Sequence, residues 1–425
     1  MKEKRQHGGG CRRLVDFFTG TCYARLNGSA SRCAGGFEAG VPATAAAEVK
    51  HIMKALVFSC GTGGGHNAAA KAMEEALTLR GHQAKVLDPY ELKSARTSDT
   101  IGHTYVDMVQ KTPAMMGVVY ALGNAYRRLP GRSPVYRING KMVERVAALF
   151  EAEKPDVVFM PHLFPAEILT NMKNRGLSLP KTIYIDTDYV CVPFTEETSC
   201  DAYIVPGPDL VSAFSSWGLP EEKIYPLGIP VRRCFTHAPD RSTAMTLLGL
   251  DKNRRYVLVS GGSMGVSKLQ EAIDVLYGCL QKEPRYRMIV VCGSNDALRR
   301  EVEARYGEDV LALGFTDQVS LYMRASDIYV TKPGGLTSTE AAAMGVPMVH
   351  VLLMRGNETV NMRYFSERGM SVPVTHIARE LPKALERLTD PAEAAAMVAC
   401  QHRWISTTAA EDICRLAEKM VGEEA

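Results

Sequence analysis

The chain has 425 residues, 46% hydrophobic and 23% charged, with 36 Gly and 22 Pro. That composition excludes global disorder and fibrous repeats, and the length suits two or three globular domains. Eleven Cys, an odd number with no CxxC pair, argue against a disulfide framework or a zinc ribbon, and no run of 18 apolar residues marks a spanning helix. The formal net charge of +3 gathers at the N-terminus, where residues 1–50 hold eight Lys or Arg against four Asp or Glu; the rest is nearly neutral.

Residues 1–52 carry Gly8-Gly9-Gly10, Arg12-Arg13 and an Ala/Gly-rich run without a period of 3.6 or 2. They are expected to be disordered or a non-native extension, with translation starting at Met53. The apolar patch near Val15 is interrupted by Asp16 and does not make a secretory signal. From Lys54 onward, short apolar runs alternate with amphipathic stretches of helical length, as in parallel sheets covered on both faces. Strands are expected at Ala55–Cys60, Ala84–Leu87, Val157–Met160, Thr182–Ile185 and Ala202–Val205. A second series is expected at Tyr256–Ser260, Met288–Cys292, Val310–Leu313, Ile328–Thr331 and Pro347–Val351. The expected fold class is α/β, with two Rossmann-like doubly wound domains at 53–235 and 236–400 facing across a cleft. A last helix, about Ala392–Val421, has its end at 401–425 returning to the first domain. Open α/β sheets bind ligands at the carboxyl ends of their strands, so the cleft is the expected site.

Three motifs follow strands. Ser59-Cys60-Gly61-Thr62-Gly63-Gly64-Gly65-His66 opens a helix that runs to about Arg80; its spacing fits neither GxGxxG nor a P-loop, and His66 stands at its end, either facing the cleft or capping the helix. Val259-Ser260-Gly261-Gly262-Ser263-Met264-Gly265 places a second glycine loop at the equivalent point of the second series. The third, Thr331-Lys332-Pro333-Gly334-Gly335-Leu336-Thr337-Ser338-Thr339-Glu340, combines a turn, hydroxyl side chains and N–H groups for phosphate at a helix start. Glu340, one turn in, can accept hydrogen bonds from a vicinal diol or merely complement the helix dipole.

With Asn357-Glu358-Thr359-Val360-Asn361, these motifs resemble the GT-B glycosyltransferases that include the peptidoglycan GlcNAc transferase and the diacylglycerol glycosyltransferases, from Met53 to about Gly369. Met160-Pro161-His162-Leu163-Phe164-Pro165 and Thr187-Asp188-Tyr189 are more similar to the monogalactosyl- and glucosyl-diacylglycerol synthases. The resemblance implies a UDP-sugar held by the second domain as donor substrate, with no tightly bound cofactor. Gly262, Ser263, Gly265, Gly334, Gly335, Thr337 and Ser338 would lie along the diphosphate, Glu340 would bind the ribose, Gly314 and Phe315 would face uracil, and Glu358 with Asn361 would read sugar hydroxyls. On the acceptor side it implies Gly64, Gly65, His162 and Tyr189, with His66 as catalytic base and Asp188 as the second candidate. Relatives from plants carry His and Trp after the Thr-Asp pair, where this chain has Cys191, Val192 and Phe194. Asp186-Thr187-Asp188 has the DxD form of a metal site in another glycosyltransferase fold, but it ends a strand far from every donor motif, and no metal is expected.

The implied reaction is inverting transfer of a hexose from UDP-glucose or UDP-galactose to diacylglycerol or a glycosyl-diacylglycerol. His66, near its ordinary pKa of about 6.5, would take the proton. Arg127, Arg128, Arg132 and Arg137, interleaved with apolar and aromatic residues, suit docking on an anionic membrane surface, peripheral to the inner face of the cell membrane. No nucleic-acid motif accompanies this charge. The rivals are a transferase acting on a lipid-linked peptidoglycan precursor and a UDP-GlcNAc 2-epimerase-like enzyme.

Overall fold

The computed structural model describes residues 51–61, 64–93, 113–129, 131–262, 269–353 and 356–423. The expectations for residues 1–50, for Ser263 and Gly265, and for the side chains of residues 115–119 lie outside the described residues. Two six-stranded sheets, parallel throughout, organise the rest. The first has the order β2-β1-β3-β4-β5-β6, from β1 (Lys54–Phe58), β2 (Gln83–Leu87), β3 (Val157–Met160), β4 (Lys181–Ile185), β5 (Ala202–Ile204) and β6 (Ile224–Tyr225). The second has the order β12-β11-β10-β7-β8-β9, from β7 (Arg255–Ser260), β8 (Tyr286–Val291), β9 (Val310–Leu313), β10 (Ile328–Thr331), β11 (Met348–Val351) and β12 (Val372–Val374). Every residue of β3, β10 and β11 is buried, as expected of strands covered on both faces.

The helices that shape the site are α1 (Gly64–Leu79), α2 (Pro113–Tyr126), α3 (Pro134–Asn139), α4 (Leu163–Asn174), α5 (Gly335–Met344), α6 (Asn357–Glu367) and α7 (Ala409–Gly422). The single long helix expected near the C-terminus is instead two, Pro391–Trp404 and α7. Between them the Ser406 hydroxyl accepts from Thr408 N–H, and Thr408 donates to Asp412, the local bonding by which Ser and Thr start helices. The α7 helix packs Ala410, Ile413, Cys414 and Ala417 on the apolar cluster of β1, β3 and β4. Glu418 clamps it there, accepting from Arg80 at 2.6 and 2.9 Å and lying 2.7 Å from His82 Nε2.

Candidate functional site

In each sheet the strand order reverses beside the central strands, and the loops that carry the motifs leave there. His66 follows β1 and His162 follows β3, while Gly261-Gly262 follow β7 and Lys332–Gly335 follow β10. The two sets of loops meet. A Cβ at Gly65 would lie 3.8 Å from Leu336 Cβ, and one at Gly335 would collide with the Thr187 carbonyl and come within 2.9 Å of Asp188 Oδ1, so only glycine admits that approach.

A cavity of about 200 Å³ lies at this junction, its wall including His66, His162, Phe164, Asp186, Asp188 and Asn357. His66 Nδ1 is 2.7 Å from the Pro161 carbonyl oxygen and 3.0 Å from Thr187 Oγ1. A carbonyl can only accept, so Nδ1 holds the proton and Nε2 is left with a lone pair. Burial lowers the His66 pKa from its ordinary value, while the Asp188 charge and the bond to Pro161 raise it in part. His162 meets the His66 ring edge-on with centroids 4.5 Å apart. Its Nδ1 accepts from Phe164 N–H and caps α4, and burial beside His66 holds its pKa well below the usual value. His162 is thus a neutral wall residue that begins a helix.

Asp188 departs from the role of second base. Its Oδ1 accepts from Asn361 Nδ2 and its Oδ2 from Asn357 Nδ2, both at 2.6 Å. With each oxygen engaged by an amide from α6, this carboxylate joins the domains and places negative charge near His66. Asp186 Oδ1 accepts from Asp188 N–H at 3.0 Å, its Oδ2 has no hydrogen-bond partner, and burial pushes its pKa well above the carboxylate range. Among the described residues no group of three or more His, Cys, Asp or Glu is placed to hold a metal ion.

Tyr189 is corrected as an acceptor-side residue. Its ring is buried between Tyr364 and Phe365, its hydroxyl lies 2.7 Å from Thr339 Oγ1, and its N–H donates to Asn361 Oδ1. It anchors the first domain in the second. Gly64 and Gly65 open α1, with Gly65 next to Leu336 of the second domain.

In the second domain, the first intrahelical bond of α5 runs from Ser338 N–H to the Gly334 carbonyl, so the N–H groups of Gly335, Leu336 and Thr337 stand ahead of it. Gly334 brings no capping side chain. The Ser338 hydroxyl is buried against His350 Nε2 at 2.9 Å, so its side chain is withdrawn from a ligand, whereas Thr337 is only partly buried. Glu340 is buried, which raises its pKa to about 8 against the tempering charge of Arg232. Phe315 is 77% exposed beside Gly314 at the end of β9, which leaves its ring as an open apolar face. Glu358 Oε1 accepts from Lys332 at 2.6 Å, and Asn361, completely buried, also donates to the Pro333 carbonyl.

Residues 66–231 match the family model of monogalactosyldiacylglycerol (MGDG) synthase, and residues 256–414 match the glycosyltransferase family 28 C-terminal domain. Over its first sheet the chain is thus similar to the monogalactosyldiacylglycerol synthases, and over its second to the family 28 glycosyltransferases. It is 31% identical over 252 residues to a Staphylococcus carnosus protein named processive diacylglycerol beta-glucosyltransferase; that alignment covers 58% of this chain and 62% of the relative, short of two thirds of its length. A Bacillus cytotoxicus protein of the same name is 26% identical over 351 residues, covering 79% of this chain and 86% of its own. The crystal structure of Acinetobacter baumannii MurG aligns at a TM-score of 0.54 and 15% identity, over 86% of this chain and 99% of that one, and shares the two-sheet GT-B fold.

The region matched to the synthase model includes the basic segment. Arg128 and Arg137 are exposed near Leu122, Leu129 and Ile138, which are 57–63% exposed. Arg132 is exposed too, although its guanidinium reaches the Glu197 carbonyl at 2.6 Å and lies over Tyr136. Arg127 is not a surface group. Its side chain keeps 1% exposure, pairs bidentately with Glu196 at 2.6 and 2.9 Å, and lies 3.5 Å from the Trp217 ring centroid. It braces α2 against the segment that walls the cavity, where Gly123 packs on Pro193 and Phe194 takes φ +77, a left-handed conformation unusual for an aromatic residue.

Sequence reasoning missed Pro161 and Thr187 as partners of His66, and the pairing of Lys332 with Glu358. The first two had no signal beyond their place at strand ends. Lys332 had one, a charged residue directly before Pro333-Gly334-Gly335.

Proposed function

We propose that this protein transfers a hexose from UDP-glucose or UDP-galactose to diacylglycerol, or to a glycosyl-diacylglycerol, at an anionic membrane surface, with inversion at the anomeric carbon. The observation that carries the reading is the state of His66: a ring whose Nδ1 proton is committed to the Pro161 carbonyl, whose Nε2 can accept, and which lines a cavity at the junction with the helix that opens the donor motif. The relatives named as diacylglycerol glucosyltransferases support the acceptor class.

The acceptor hydroxyl enters the cavity and gives its proton to His66 Nε2 as its oxygen attacks the sugar C1. The bond from C1 to the diphosphate breaks, and its electron pair leaves with UDP. N–H groups at the start of α5 face the growing charge without having to reorganise, an effect worth several kcal/mol. Glu340 accepts from the ribose hydroxyls, Phe315 lies against uracil, and Glu358 meets the sugar; Asn361, expected to read the sugar as well, is fully buried with its amide spent on Asp188, Pro333 and Tyr189, and so positions Asp188 instead. One displacement on an α-linked donor gives a β-glycoside.

Arg128, Arg132 and Arg137, with Leu122, Leu129 and Ile138, form a surface suited to anionic headgroups, at about 1 kcal/mol per basic residue. No helix among the described residues is long and apolar enough to cross a membrane, and the reading is of a peripheral enzyme on the inner face of the cell membrane. The test is incubation of the full chain with diacylglycerol in anionic vesicles and, separately, UDP-glucose, UDP-galactose and UDP-GlcNAc, reading UDP release and product mass. A hexosyl-diacylglycerol supports the proposal. UDP release from UDP-GlcNAc alone, without a diacylglycerol product, favours a peptidoglycan-precursor transferase or an epimerase-like enzyme instead.

A further inference from the structure

The loop after β10 contains a cation to which the mechanism above gives no task. The Lys332 ammonium lies 2.6 Å from Glu358 Oε1, in a pair whose side chains keep 18% and 5% exposure. Its stem is pressed against the glycine turns on either side. A Cβ at Gly262, which has φ +81, would lie 2.9 Å from Lys332 Cε, and a Cβ at Gly334 would lie 3.8 Å from Nζ. The ammonium therefore sits beside both donor loops and the N–H groups that open α5. Glu358 is 4% exposed and gives only one oxygen to the pair, while its Oε2 has no hydrogen-bond partner. Leaving a buried carboxylate oxygen unsatisfied is costly, so this oxygen is suited to a hydroxyl that arrives with the donor.

We propose that Lys332 is the cation that receives the leaving diphosphate, and that Glu358 holds it in place with Oε1 while Oε2 accepts a hydroxyl of the transferred sugar. This deepens the UDP-sugar reading and rests on it. The electron pair of the broken bond between C1 and the phosphate oxygen stays on that oxygen beside the ammonium. Lys332 keeps its protons, because the acceptor proton goes to His66. A fixed charge held where negative charge develops acts more strongly in the transition state than in the ground state. The shared carboxylate also ties sugar recognition to the placement of the cation.

Calorimetric titration of the full chain with UDP and with uridine tests this. Lys332→Met is expected to weaken UDP binding by about 10-fold or more, the loss of one charge-assisted contact, and to leave uridine binding within about twofold. Lys332→Arg restores part of the preference for UDP. The double variant Lys332→Met/Glu358→Gln, which leaves no unpaired buried carboxylate, keeps the chain folded by thermal melting and shows the same selective loss. Unchanged UDP binding in both Met variants, with the wild-type chain binding UDP, would overturn the role of Lys332 and leave the donor site standing. A wild-type chain that binds neither UDP nor uridine would overturn the donor reading and this inference together.

Discussion

The Pro161 carbonyl accepts the Nδ1 proton of His66 over 2.7 Å, and this one bond decides what the imidazole can do. It selects the tautomer in which Nε2 is the acceptor, and it fixes the ring in the cavity wall.

Replacing His66 by Ala should remove the base and leave the donor loops intact. Glycolipid formation is expected to fall roughly 100- to 10,000-fold, the usual range for loss of a positioned proton acceptor. UDP affinity, read by calorimetry, should stay within a few-fold. Equal loss of turnover and UDP binding would place His66 in the donor site instead.

The pH profile follows from the same residue. Burial lowers the His66 pKa, so the ring is neutral at pH 7 and turnover should decline only as the medium becomes more acidic than the ordinary 6.5. The Asp188 charge partly opposes that lowering. Asp188→Asn, which removes the charge, should therefore move the acid limb of kcat to lower pH, alongside lower activity from the loosened contact with Asn357 and Asn361. A limb that moves to higher pH would contradict the electrostatic link.

Glu340 has its pKa raised to about 8 by burial, so the free protein favours its protonated form. The sign is that of a buried acid: its contribution to stability is fully present below the ordinary 4.5 and is lost as pH rises toward 8. Glu340→Gln should melt higher than the wild type at pH 8.5 and show little gain at pH 4.5. A carboxylate that accepts two ribose hydroxyls is favoured over the acid, so uridine affinity should rise with pH through 8 in the wild type and stay flat, and weaker, in the variant.

Arg127 and Arg128 are neighbours in sequence with opposite expected phenotypes. Arg127→Ala breaks the Glu196 pair and the contact with Trp217, and should lower stability by up to about 3 kcal/mol, read by chemical denaturation. The double change Arg128→Ala/Arg137→Ala should leave the melting temperature within a degree or two, while vesicle partitioning at low salt drops by about 30-fold, two charges at about 1 kcal/mol each. Partitioning unaffected by the double change would move the membrane surface elsewhere.

Much of the fold was legible because buried parallel strands are continuous apolar runs. Val157–Met160, Val310–Leu313 and Ile328–Thr331 have the bounds the sequence suggests. Two edge strands were not. Ile224–Tyr225 is two residues long, and Val372–Val374 contains Pro373, which only an edge tolerates. In the site, glycine loops and a histidine after a strand are local signals and could be read. The burial of Arg127 and Tyr189 could not, because it depends on Glu196, Thr339 and Asn361, which lie 69 to 172 residues away in the chain. The two carboxylates of Asp186-Thr187-Asp188 look alike in sequence. In the fold one is buried with an unpartnered oxygen and the other is held by two amides from the second domain.

The most direct test of the account is the anomeric configuration of the lipid product made by the full chain from α-linked UDP-hexose and diacylglycerol, read by proton NMR of the purified glycolipid. Direct attack assisted by His66 predicts a β-hexosyl-diacylglycerol. An α-linked product would contradict the single displacement on which the assignment of His66 as the base depends.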